Sequence, residues 1–85
     1  MYTVYILFSE KLNKYYTGYT GESVGYRLHQ HLANHAGFSA KAKDWKIVFT
    51  ELFENKKDAF AREQQIKAWK SASRIEALIR RSSTE

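Results

Sequence analysis

The 85-residue chain is 44% hydrophobic and 15% aromatic, has no cysteine or proline, and carries 14 basic against 9 acidic residues, a formal net charge of +5. That composition excludes a disulfide framework and a thiolate metal site and leaves one small core built from aromatic and aliphatic side chains. The basic balance favours polyanionic partners, against the plainer reading of a solvated basic surface. No apolar run approaches the roughly 18 residues of a membrane-spanning helix, and the start lacks the basic and long apolar regions of a signal peptide, so no membrane association and a cytoplasmic location are expected.

Residues 2–8 are apolar at alternate and intervening positions alike, with Val4 and Ile6 on one side and Tyr5 and Leu7 on the other, which predicts an inner strand buried on both faces. Ser9-Glu10-Lys11-Leu12-Asn13 has turn chemistry, and residues 14–20 form a second, more polar strand bounded by glycine, so the pair reads as an antiparallel hairpin. Closing the turn at Phe8 and Asn13 sets Tyr5 opposite Tyr16, with Gly18 leaving room beside the two phenols. A slip of one residue would send one phenol to the other face.

Gly21-Glu22-Ser23 breaks the strand, and Ser23 is an N-cap for a helix running to His35, with Asn34 and Gly37 as stop signals. Val24, Leu28 and Leu32 form its buried stripe, and Arg27, His31 and His35 an adjoining one. Residues 37–44 are a loop whose lysines, Lys41 and Lys43, either line a groove or are simply solvated. Residues 45–53 give the third strand, with Ile47-Val48-Phe49 as its buried centre. Asn55 and Asp58 cap a helix over 56–70, and Ser73 with Glu76 caps a shorter one carrying Ile75, Leu78 and Ile79. The order β-β-α-β-α-α predicts an α+β fold, a three-stranded antiparallel sheet flanked by helices, in a single domain over residues 1–81 with a frayed tail at 82–85.

Among acidic residues Glu63 is the most informative. In a helix over 56–70 it falls between Ala59 and Ile66 on the stripe facing the sheet, where an unpaired carboxylate costs several kcal/mol to bury, roughly. It therefore either pairs with Lys67 at i,i+4 or holds a cation. Strand tyrosines such as Tyr5 and Tyr16 are ordinarily sheet aromatics; a phenol, which ionises near pH 10 when unperturbed, needs a nearby cation or acceptor to act as a base. Arg27 is either a surface arginine or a clamp for a phosphate, whose oxygens the guanidinium fork matches. The i,i+4 pair His31 and His35 raises zinc, but no cysteine or flanking acid completes a ligand set.

Taken together, Val4-Tyr5-Ile6, Tyr16-Thr17-Gly18, Arg27, His31, the aromatic strand over 45–53 and the run Ala61-Arg62-Glu63-Gln64-Gln65-Ile66-Lys67 occur in the order of the GIY-YIG nuclease superfamily. The chain resembles the small stand-alone members of that superfamily over nearly its whole length. It departs from the pattern in having Thr3 or Val4 where the first motif has glycine, and in lacking an asparagine that some members carry beyond the glutamate.

The resemblance implies the same layout of strands and helices, and a metal-dependent endonuclease that hydrolyses DNA phosphodiester bonds in DNA repair or processing, leaving 5′-phosphate and 3′-hydroxyl ends. It implies Glu63 as the ligand of Mg2+ or Mn2+, Tyr16 as the group that orients or deprotonates the attacking water, and Tyr5 as its support. Arg27 would hold the scissile phosphate, and His31 would accept a proton or orient Tyr16. Gly18, Lys41, Lys43, Lys67, Lys70 and Arg74 are the expected nucleic-acid contacts. The partner expected is DNA, branched or damaged forms and RNA remaining open, with an unidentified protein supplying specificity. The other reading is a catalytically silent basic module that binds nucleic acid or docks on a protein.

Overall fold

The computed structural model describes residues 1–33 and 43–82. Strands β1 (Tyr2–Ser9), β2 (Lys14–Thr20) and β3 (Lys46–Phe53) form one antiparallel sheet in the order β2-β1-β3. Helix α1 (Val24–Ala33) lies between β2 and β3 in sequence, and α2 (Lys56–Trp69) and α3 (Ala72–Ser82) follow. The expected α+β layout is therefore the observed one.

β1 is central because it is apolar on both sides. Val4, Ile6, Tyr5 and Leu7 are all at most 1% exposed, and they divide the core into two layers. On one face Val4 and Ile6 pack with Phe49, Ala59, Ile66 and Leu78 beneath α2 and α3. On the other Tyr5 and Leu7 pack with Trp45, Tyr16, Val24 and Leu28 beneath α1.

The hairpin register differs from the expected one by two residues. Tyr5 pairs with Gly18 and Tyr16 with Leu7, because Ser9 pairs with Lys14 and leaves a four-residue turn. The turn is as long as the expected one but lies one residue further along the chain, and local hydrogen bonds hold it there. The Asn13 N–H donates to the Glu10 carbonyl at 3.2 Å, the Leu12 N–H donates to the Ser9 hydroxyl at 3.1 Å, and Asn13 takes the left-handed backbone (φ 54°) that asparagine tolerates. A two-residue shift preserves the faces, so Tyr5 and Tyr16 share one face as expected, diagonally rather than side by side.

β3 also departs from expectation. Ile6 pairs with Phe49 but Leu7 with Ile47, so Val48 is an extra residue in a β-bulge. Only Phe49 of the predicted apolar centre is buried; Val48 is half-buried and Ile47 is exposed. The extra residue reverses the alternation ahead of it. Trp45, which plain alternation would place on the face of Phe49, turns instead toward Tyr5 and Leu7 and is buried there.

The caps follow the sequence with one exception. The Ser23 hydroxyl accepts from the Tyr26 N–H at 3.1 Å, and the Asn55 side chain accepts from the Asp58 N–H at 2.9 Å. At α3, however, Ser71 rather than Ser73 accepts from a backbone N–H, that of Arg74, at 3.3 Å. Lys70 supplies the left-handed C-cap of α2 (φ 50°), so the next helix starts earlier than a Ser73 cap would allow. Ser82, expected to open a frayed tail, is the last residue of α3, and its hydroxyl donates to the Ile79 carbonyl. Asn34, His35, Gly37 and the loop residues up to 42 lie outside the described residues, as does 83–85.

Candidate functional site

Tyr5, at the centre of β1, is only 1% exposed, and Gly18 explains how it fits. A Cβ on residue 18 would stand 2.6 Å from the Tyr5 hydroxyl oxygen and 2.8 Å from its Cζ, so the phenol lies directly across the glycine backbone. Gly18 is itself buried, and its place in the site is to admit that ring.

Tyr16 is half-buried on the same face, and its ring meets Trp45 edge-on, with centroids 6.5 Å apart and planes at 71°. Because β2 is an edge strand, Tyr16 also borders open space. A groove of about 320 Å³ runs along that edge, lined by Tyr15, Tyr16, Thr17, Ile66, Lys67, Lys70 and Ile75. A second hollow continues it past Asn13, Lys14, Ser71 and Ala72. Lys67 and Lys70 from the end of α2 thus face the strand that carries Tyr16.

The neighbouring phenol, Tyr15, belongs to the opposite face and is tied differently. Its pKa is raised above the ordinary phenol value by burial first, then by the charge of Glu76 and the hydrogen bond between them. Tyr15 is thereby kept neutral, and its ring lies 4.8 Å from that of Phe8, tilted by 42°.

Glu63 lies on the sheet-facing stripe of α2 with Ala59 and Ile66, as the spacing predicts, and is 7% exposed. Its Oε2 is 3.2 Å from the Lys67 ammonium and its Oε1 accepts from the Gln64 amide at 3.0 Å. The carboxylate is thus held against positive charge at the margin of the groove that Lys67 lines. Tyr5 and Tyr16 stand under α1 and Glu63 on α2, on opposite faces of the sheet; the groove at the open edge of β2 is lined by Tyr16 and by Lys67, the ion-pair partner of Glu63.

Arg27 and His31 both fall in α1, the helix packed on the tyrosine face through Val24 and Leu28, and their side chains lie outside what the structure describes. Lys41 lies outside the described residues, and Lys43 is exposed ahead of β3. Arg74 does not line the groove. It lines a separate cleft with Arg62, Trp69, Ala77, Leu78 and Arg81.

Sequence reasoning gave no role to Asp44. The hydroxyl of the fully buried Ser9 donates to its Oδ1 at 2.6 Å, and the Lys11 N–H donates to its Oδ2 at 2.9 Å. These two bonds hold its carboxyl below the usual range, the Ser9 bond more than the Lys11 bond. They fasten the hairpin turn to the residue before Trp45, and hence to the ring that abuts Tyr16. A contact spanning 35 residues leaves no local signal.

A family model described as the GIY-YIG catalytic domain matches residues 1–76. The chain belongs to that family. Neither a curated protein nor a solved structure matches it. Membership makes this GIY-YIG domain nuclease-type, with nucleic acid as its class of substrate, and such domains typically use divalent metals. Among the described residues no group of three or more His, Cys, Asp or Glu could hold an ion, and no helix is long and apolar enough to cross a membrane. The donor set at Glu63 is one hard carboxylate, already facing a cation. That does not fit a closed zinc site, but it does fit magnesium, which keeps several waters and takes further ligands from substrate phosphates.

Proposed function

We propose that this GIY-YIG domain is a divalent-metal-dependent endonuclease that hydrolyses DNA phosphodiester bonds in repair or processing. The observation that carries the reading is the groove at the edge of β2, which Tyr16 lines together with Lys67 and Lys70, Lys67 lying one helical turn from Glu63 and bonded to it. A phosphate backbone lying in that groove brings its phosphodiester to the tyrosine. Tyr16 orients or deprotonates the attacking water, and Tyr5, fixed across Gly18, supports it. Arg27 holds the phosphate oxygens and His31 takes up the proton. Glu63 would hold Mg2+ or Mn2+, which supplies Lewis-acid stabilisation of the departing oxygen. Lys43 and Lys41 extend the path of the backbone, and specificity comes from a partner protein or from the substrate's branched or damaged form.

One observation favours the silent binding module: the Glu63–Lys67 ion pair already satisfies the carboxylate. Substituting Glu63 by glutamine separates the readings. Glutamine keeps the shape and is neutral, so no buried charge is stranded, and Lys67 is half-exposed and stays solvated, so thermal stability should change by no more than about 1 kcal/mol. Magnesium-dependent nicking, assayed on duplex, single-stranded and branched DNA, should fall by two orders of magnitude or more, roughly the scale of losing an electrostatic stabiliser. A Glu63→Gln protein that nicks at the parent rate would leave the binding module as the better reading.

A further inference from the structure

The cleft between α2 and α3 is chemically unlike the groove beside Tyr16, and the two share no lining residue. Its wall is Trp69, the last residue of α2. The Arg74 guanidinium lies 4.7 Å from the centroid of that ring and the Arg62 guanidinium 5.9 Å from it. Arg62 is neutralised: its Nε bonds Glu51 Oε1 at 2.9 Å and its Nη1 bonds Gln65 at 2.8 Å. Arg74 and Arg81 have no carboxylate within ion-pair distance among the described residues. They stand seven residues apart, so they share a face of α3 about 10 Å apart along its axis, with Leu78 as the floor between them.

Two guanidinium forks with no carboxylate partner among the described residues, beside a cleft of about 220 Å³, suit a phosphodiester better than a nucleotide, because the space is below the size of a small-molecule pocket and the indole is already occupied by guanidinium. We infer that this cleft is a second contact for the DNA backbone, in which Arg74 and Arg81 each neutralise a phosphate while Trp69 props Arg74. This deepens the nuclease reading, since it takes DNA as the ligand.

The test is a salt titration of binding to a short fluorescent DNA duplex, in EDTA so that nothing is cleaved, comparing the parent with Arg74→Gln/Arg81→Gln. Both positions are exposed, and circular dichroism with thermal unfolding verifies the fold. Removing two phosphate contacts should flatten the log–log salt slope by about 1.8, so that the affinity lost between about 50 and 200 mM salt is roughly tenfold smaller than in the parent. Trp69→Leu should weaken binding in the same direction but leave the slope near the parent's, since no charge is removed. An unchanged slope in the folded double variant, or a parent that binds no duplex, overturns the inference. A parent that binds with the expected slope difference yet nicks no DNA in magnesium overturns the nuclease reading alone.

Discussion

Gly18 carries more of the site than its lack of a side chain implies. Tyr5 is 1% exposed and wedged between Leu7 and the α1 layer, so its ring has nowhere to go if residue 18 acquires a methyl group 2.6 Å from its oxygen. Gly18→Ala should therefore destabilise the domain by about 1–3 kcal/mol through overpacking, despite alanine's better strand propensity. Nicking should fall with it, because the phenol must leave the position that supports Tyr16. Thermal unfolding and the magnesium-dependent nicking assay measure the two effects. The cause can be isolated by repeating the substitution with Tyr5→Leu: if the collision is the mechanism, Gly18→Ala should cost clearly less there, and equal cost in both backgrounds would refute it.

At the scale of elements, the turn, the bulge and the start of β3 act together on Tyr16. Asp44 binds the turn through Ser9 and Lys11, and the Val48 bulge directs the adjacent Trp45 onto the tyrosine ring. Because the folded-state pKa of Asp44 is depressed, its contribution to stability is present above the ordinary carboxylate pKa and is lost as pH falls through the folded value. Asp44→Asn should accordingly be less stable than the parent at neutral pH, and the gap between their unfolding midpoints should close in strong acid. A gap that stays constant with pH would deny the charged latch. Trp45→Leu should lower the nicking rate more than it raises KM, since it loosens Tyr16 without touching the groove cations. The sequence made much of the scaffold legible: β1 declared its inner position by being apolar on both sides, and the helices declared their starts through Ser23 and Asn55. What it hid was non-local. The two-residue register shift depends on the Ser9–Asn13 hydrogen bonds, and the face of Trp45 depends on one extra residue in β3; neither alters composition or period. Tyr5 and Tyr16 were assigned to one face correctly because an even shift leaves parity intact, and the sheet-facing place of Glu63 followed from helical spacing, although its pairing with Lys67 was one of two alternatives.

Across the whole molecule, the +5 charge is distributed so that α2 and α3 present cations on two sides, Lys67 and Lys70 in the groove and Arg74 and Arg81 in the cleft. The domain measures only 30 × 27 × 26 Å, and a duplex spanning 30 Å has about nine base pairs at 3.4 Å per step, so one short duplex offers enough phosphates for both sites. None of the contacts proposed reads a base edge, and backbone neutralisation is insensitive to sequence. Duplexes of unrelated sequence should thus bind with the same affinity and the same salt slope. With Lys67 held by Glu63, three phosphates neutralised by Lys70, Arg74 and Arg81 should give a slope of about −2.7, which corresponds to roughly a fortyfold loss of affinity between about 50 and 200 mM salt; with the groove alone it should be about −0.9, or roughly fourfold. Fluorescence anisotropy in EDTA across that range distinguishes the two cases. A slope near zero, or a strong preference for one sequence, would mean that the charge is only a solvated surface and that recognition is carried by something other than these side chains.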